Sequence, residues 1–113
     1  MDRSIFLSIL IKYTFMCAIA GIIGRNLKNE SHNTIASMLS MMQHRGPDFS
    51  DSIKFGKGFF GHNRLSIIDT HTRANQPMIS NNKRFILVFN GEIYNYLELR
   101  ELLKSYYNFK TKS

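Results

Sequence analysis

Two kinds of hydrophobic pattern alternate along this chain, and together they predict a layered domain. Residues 17–23 form an isoleucine-rich apolar run that suits a buried strand. Ile35, Met38, Leu39 and Met42 then fall at i, i+3, i+4 and i+7, one face of a helix with Asn33 as its expected cap. Gly46-Pro47 is expected to end that helix. Residues 52–60 and 63–69 read as two strands joined through glycine-rich turns. Ser80-Asn81-Asn82-Lys83 reads as a turn into a further strand over 84–89. Asn95 and Glu98 have the spacing of a capping box, opening a helix whose buried stripe is Leu99, Leu102, Leu103 and Tyr106. Residues 107–113 resemble the start of another strand. Strands on one side and helices on the other make an α+β domain.

Composition adds limits. The chain has 113 residues, so it holds at most one small domain, and 43% hydrophobic content is enough to build a core. The net charge of +7 would fit a nucleic-acid partner on totals alone. The Lys and Arg residues are scattered, however, without runs or a repeated basic-aromatic spacing, so no nucleic acid is expected. One cysteine excludes an internal disulfide framework and a multi-thiolate zinc site. His32, His44, His62 and His71 lack ligand spacing and read as surface or supporting residues, so no metal is expected.

The apolar run from Ile5 to Ile11 is far short of the about 20 residues that a membrane span needs. A secretory signal is the competing reading, because Ala18-Ile19-Ala20 mimics a small-x-small cleavage site. Cleavage there would discard Cys17 and the start of the first strand. The simpler expectation is a leader over 1–15, an extension or mis-called start, with the domain over 16–113. Gly56-Lys57-Gly58-Phe59-Phe60-Gly61 matches the dinucleotide-binding pattern letter for letter. That pattern works only where a strand turns into a helix, and the flanks here are strand-like, so a hairpin turn is expected.

Four stretches stand out as motifs, in a fixed order: Met16-Cys17-Ala18-Ile19-Ala20-Gly21-Ile22, Arg45-Gly46-Pro47-Asp48, Arg64-Leu65-Ser66-Ile67-Ile68-Asp69 and Asn90-Gly91-Glu92-Ile93-Tyr94-Asn95. A thiol attacking a carboxamide needs a base, an oxyanion site and contacts that hold the substrate. If Met16 is removed, the α-amine of Cys17 can be that base, since amine and thiol titrate near about 8 and about 8.5. Acylation of that nitrogen removes its basicity. Taken singly, Cys17 also fits a buried strand residue, Asn90-Gly91 a hairpin turn and Arg64 a surface ion pair.

Together, and in this order, the four stretches resemble the N-terminal glutaminase domain of glutamine-dependent asparagine synthetases. That domain is a class II glutamine amidotransferase with the αββα N-terminal-nucleophile hydrolase fold, expected here in incomplete form. The resemblance implies Cys17 as nucleophile, with Asn90 (side chain) and Gly91 (backbone N–H) as oxyanion hole. It implies that Arg64 clamps the α-carboxylate of L-glutamine, that Leu65, Ser66, Ile67 and Ile68 line the pocket, and that Glu92 receives the α-amine. Arg45-Gly46-Pro47-Asp48 would shape the neighbouring loop. Ala18 departs mildly from the Gly or Ser that usually follows the cysteine.

The same resemblance implies a cytoplasmic enzyme that passes ammonia to an acyl-adenylate of aspartate, with homo-oligomers possible. It places ATP and Mg2+ in a synthetase domain outside this chain, which itself is expected to carry no cofactor. Beyond Ser113 the family continues with an aspartate that binds the substrate amine and with further strands. The isolated chain is therefore expected to be poorly soluble and to release little or no ammonia. Four alternatives stay open: a sugar acid or other carboxylate as acceptor, an inactive fragment, a secreted β-rich module, and a papain-like Cys17–His62 pair.

Overall fold

The computed structural model describes residues 16–28, 30–67 and 69–113. Residues 1–15, the expected leader with its apolar run, lie outside them, as does Ile68. Three strands, β1 (Ala18–Ile23), β2 (Phe49–Phe55) and β3 (Gly58–Arg64), form an antiparallel sheet in the order β1-β3-β2. Helix α1 (Glu30–Met41) lies on one face of it. A two-stranded ribbon, β4 (Met78–Ile79) with β5 (Ile86–Leu87), and helix α2 (Tyr96–Leu103) follow a short 3₁₀ turn at Thr72–Ala74. Helix and strand are mixed, with the strands antiparallel, so the domain is α+β.

Register decides which face each strand residue serves. Ala18, Ala20 and Ile22 stand opposite Asn63, Gly61 and Phe59, and this face receives α1. Ile35 and Leu39 of α1 close the core against Ala20 and Phe59, with Met38, Met42, Ile22 and Leu27 around them. The helical stripe read from the sequence is therefore the stripe that packs. Gly61 sits inside a strand because Leu39 presses there: a Cβ at Gly61 would lie 2.7 Å from a Leu39 methyl. The other face carries Ile19, Gly21 and Ile23 opposite His62, Phe60 and Gly58. Ile19 and Ile23 are exposed, so β1 is buried on one side rather than two.

Several element boundaries differ from the sequence reading, each for a local reason. Helix α1 begins at Glu30, ahead of Asn33, and its first turn is held where the His32 ring meets Phe59 edge-on. Its regular turns end at Met41, and a run of tight turns carries the chain to Gly46. The hairpin turns at Gly56-Lys57, where Gly56 takes φ +57°, so the dinucleotide-like glycines belong to a turn and to β3. Strand β3 ends at Arg64 instead of a strand running to Asp69. Beyond it, Leu65 N–H turns to Cys17 Sγ and Ser66 N–H to Asp48, so these donors leave the ladder.

The expected strand over 84–89 shrinks to Ile86–Leu87, because Phe85 N–H donates to Ser80 Oγ and Phe89 N–H to Gln76 Oε1. The Ser80–Lys83 turn itself forms, closed by Lys83 N–H on Ser80 O. At α2 there is no capping box: Asn95 has φ −96° and ψ 28°, and its side chain makes no cap hydrogen bond. Cap residues take extended backbone to reach the first free N–H groups, and Asn95 does not. The Leu99, Leu102, Leu103 and Tyr106 stripe is exposed rather than buried, Leu102 by 64% and Tyr106 by 79%. No layer covers it among the described residues. Residues 107–113 form no strand either; Arg100 draws them in by donating to Thr111 O and lying 4.6 Å over the Phe109 ring.

Candidate active site

Loops around the end of β3 converge on one cavity of about 650 Å³. Cys17, Arg64, Leu65, Ile67, Asn90, Gly91 and Glu92 all line it, although they come from three separate stretches of sequence. Ser66 does not line it; its N–H is taken by Asp48 Oδ2 at 2.7 Å. Ile67 is exposed at the rim, and Ile68 falls outside the described residues.

Cys17 is half-buried just before β1. Leu65 N–H donates to its Sγ at 3.2 Å, and the thiol faces Leu65 O at 3.7 Å. Sγ has no hydrogen bond to His62, so the papain-like pairing does not form. Arg45 Nε donates to Cys17 O at 3.5 Å and Asp48 N–H to Arg64 O at 3.0 Å. Between them Gly46 lies so close to β3 that a Cβ would come within 2.5 Å of the Asn63 carbonyl. The Arg45-Gly46-Pro47-Asp48 stretch thus braces the Cys17 and Leu65 backbones and presents no group to the cavity.

Arg64 is a buried cation, 7% exposed, and not the surface arginine of an ion pair. Its guanidinium donates to His71 O at 3.0 Å, to Asn75 Oδ1 at 2.6 Å and to Asp69 O. All three acceptors are uncharged. Among the described residues no carboxylate pairs with it, because the Asp69 side chain serves Arg73 instead. A buried charge held by neutral acceptors at a cavity wall is suited to an anionic ligand.

Asp69 ties this wall together. Its carboxylate accepts from Lys112 N–H at 2.7 Å, Arg73 Nε at 3.2 Å and His71 N–H at 3.2 Å. These donors, the Lys112 N–H foremost, hold its pKa at about 2. His62 is also buried, fully enclosed on β3 rather than at the surface. Its pKa is lowered, chiefly by burial, with the Arg64 charge pushing the same way and the Phe89 bond opposing. Gln76, Asn63 and Asp69 have structural duties here that the sequence reading did not give them, while His62 takes the supporting role that was one of its two readings. Only the i, i+2 alternation through β3 carried a hint, and its glycines masked it.

Among the described residues no cluster of three or more His, Cys, Asp or Glu could hold a metal, and no helix is long and apolar enough to cross a membrane. The profile of the family described as "Glutamine amidotransferase domain" matches residues 16–113, and the chain belongs to that family. Its relatives include a probable asparagine synthetase (glutamine-hydrolyzing) of Schizosaccharomyces pombe, 44% identical over 72 residues, or 64% of this chain and 13% of that protein. Asparagine synthetase (glutamine-hydrolyzing) 1 of Arabidopsis thaliana is 35% identical over 99 residues, 87% of this chain and 17% of that protein. Asparagine synthetase (glutamine-hydrolyzing) 1 of Bacillus subtilis is 37% identical over 102 residues, again 87% of this chain and 16% of that protein. The chain thus spans less than a fifth of the length of these relatives.

Proposed function

We propose that the cavity binds L-glutamine and that Cys17 attacks its carboxamide, releasing ammonia and leaving glutamate. The observation that carries this reading is Arg64, a buried guanidinium with no carboxylate partner among the described residues, facing the same cavity as Cys17 and the Asn90-Gly91 pair. Arg64 takes the α-carboxylate and Glu92 the α-amine, which orients the carboxamide toward Sγ. Asn90 Nδ2 and Gly91 N–H receive the oxyanion of the tetrahedral intermediate. Leu65 N–H fixes the sulfur at the start of that path.

In this chain the nitrogen of Cys17 is acylated by Met16. The step therefore needs residues 1–16 removed, so that the freed α-amine accepts the thiol proton and passes it to the departing ammonia. Within this reading 1–15 is a leader and 16–113 the first part of an N-terminal-nucleophile domain of αββα type. The open sheet face at Ile19 and Ile23 and the exposed Leu102 and Tyr106 of the α2 stripe are the surfaces such further layers would cover. The setting is cytoplasmic. Ammonia passes to an ATP-activated aspartate in the longer protein; the relatives' name, asparagine synthetase (glutamine-hydrolyzing), supports aspartate as the acceptor.

Covalent capture tests the site without requiring turnover. The chain is treated with a chloroketone analogue of glutamine, in which Cys17 sulfur displaces chloride and its proton goes to buffer. Saturable labelling of Cys17, faster than by chloroacetamide and prevented by L-glutamine, is expected by intact-mass and peptide analysis. Labelling no faster than by chloroacetamide and indifferent to glutamine would overturn the reading.

A further inference from the structure

Phe89, the residue before Asn90, is held on three sides. Its N–H donates to Gln76 Oε1 at 2.6 Å, and Gln76 Nε2 donates back to its carbonyl at 3.2 Å. His62 Nε2 donates to the same carbonyl at 3.2 Å. The Phe89 ring lies against Gly91, where a Cβ would come within 2.9 Å of its Cζ. Residues 88–91 belong to neither helix nor strand, so no backbone ladder fixes them. Side chains do that work instead.

The two anchors differ in origin. His62 stands on β3, the central strand, paired on both sides and with no exposed surface. A carbonyl can only accept, so Nε2 carries the proton and Nδ1 is left as an acceptor. That Nδ1 is buried without a partner among the described residues. An apolar residue of similar size would avoid that cost, so packing alone does not account for a histidine here; the bond to Phe89 does. Gln76 adds a two-point clamp from the segment just before β4.

We propose that His62 and Gln76 are positioning residues that act through the Phe89 peptide to keep Asn90 and Gly91 aimed at the oxyanion formed on Cys17. The proposal rests on the glutamine-site reading above. It assigns neither side chain a contact with the reacting atoms. An oxyanion hole gains its effect from donors fixed before the charge develops, and a loop without a ladder needs such anchors.

Two measurements on the full chain test it. The first is capture by the glutamine chloroketone in His62→Phe, His62→Gln and Gln76→Glu. His62→Phe removes the donor while keeping the ring volume, whereas His62→Gln restores an Nε2 donor. Gln76→Glu keeps the acceptor for Phe89 N–H and sets a carboxylate oxygen against Phe89 O. The limiting rate is expected to fall about tenfold in His62→Phe and Gln76→Glu, with half-saturation unchanged and recovery in His62→Gln. Labelling by chloroacetamide should not move.

The second is amide hydrogen exchange, which does not depend on chemistry at Cys17. Faster exchange is expected at Phe89, whose N–H is held by Gln76, in both disruptive variants, with Ile35 and Leu39 unaffected. Unchanged exchange at Phe89 would overturn the clamp. Altered exchange with an unchanged limiting rate would overturn its role in positioning the oxyanion donors. Failure of the unaltered chain to label selectively would instead overturn the glutamine site, and with it the purpose assigned to the clamp, while exchange would still decide the clamp itself.

Discussion

Leu65 N–H donates to Cys17 Sγ at 3.2 Å across a gap of 48 residues in sequence. The bond marks where β3 stops being a strand, since a donor turned toward a thiol cannot serve a neighbouring strand. The same departure brings Arg64 and Leu65 to the cavity wall. End of strand and start of site are one event.

Arg64→Met should show whether the buried cation serves the fold, the ligand or both. Removing the guanidinium leaves His71 O, Asn75 Oδ1 and Asp69 O without their donor. A loss of about 2–3 kcal/mol in urea unfolding is expected from such orphaned acceptors. Arg64→Lys should recover part of that loss but lose protection of Cys17 by L-glutamine, because a point charge cannot hold three acceptors and grip a carboxylate in two places.

Asn63→Leu should be costly although the position looks unremarkable in the sequence. The fully buried amide donates to Leu39 O at 2.6 Å, a carbonyl near the end of α1, and accepts from Ser50 Oγ at 2.7 Å. It ties the helix to the central and edge strands at once. Leucine fills the volume and leaves the helix carbonyl unpaired, so about 1–3 kcal/mol of stability should go, read as a lower urea midpoint at constant slope.

The sequence made the α1 stripe, the glycine turn at Gly56 and the grouping of motifs legible, because each depends on local spacing. The stripe needs only the period of a helix, and the turn only one residue free to take positive φ. What it hid depends on partners far along the chain. The strand expected over 84–89 has the right composition, yet Gln76 and Ser80 take its donors. Asn95 and Glu98 have the right spacing, yet the backbone at Asn95 points the cap elsewhere. His62 reads as a surface or supporting residue until the Phe89 carbonyl at its ring decides between the two, and Arg64, taken singly, as a surface arginine until three oxygens enclose it.

Gly46→Ala should separate the bracing role of the Arg45-Gly46-Pro47-Asp48 stretch from any part in ligand contact. The added Cβ would meet backbone atoms of Asn63 and Arg64 at 2.5–2.7 Å, and backbone cannot swing aside as a side-chain tip can. Strain of about 1–3 kcal/mol is expected. The displaced loop should loosen Arg45 from Cys17 O and Asp48 from Ser66 N–H together. Calorimetry gives the stability loss, and faster amide exchange at Ser66 checks the displacement.

Acid should destabilise the chain in two stages with opposite chemical origins. His62 has a lowered pKa in the folded state, so on acidification the unfolded chain takes up its proton first. Stability therefore begins to fall below the unfolded histidine value of about 6.5. Asp69 follows lower down. Its folded pKa of about 2 lies under the ordinary 3.8, so its contribution is complete above that value and is lost as pH drops from about 4 toward 2. Denaturant midpoints measured from pH 8 to pH 2 should show both slopes. His62→Gln should flatten the first and leave the second. Asp69→Asn should flatten the second and leave the first, because the Arg64 bond to Asp69 goes to the backbone carbonyl and survives the change. A profile in which Asp69→Asn alters neither region would mean that Lys112 and Arg73 do not hold that carboxylate in solution.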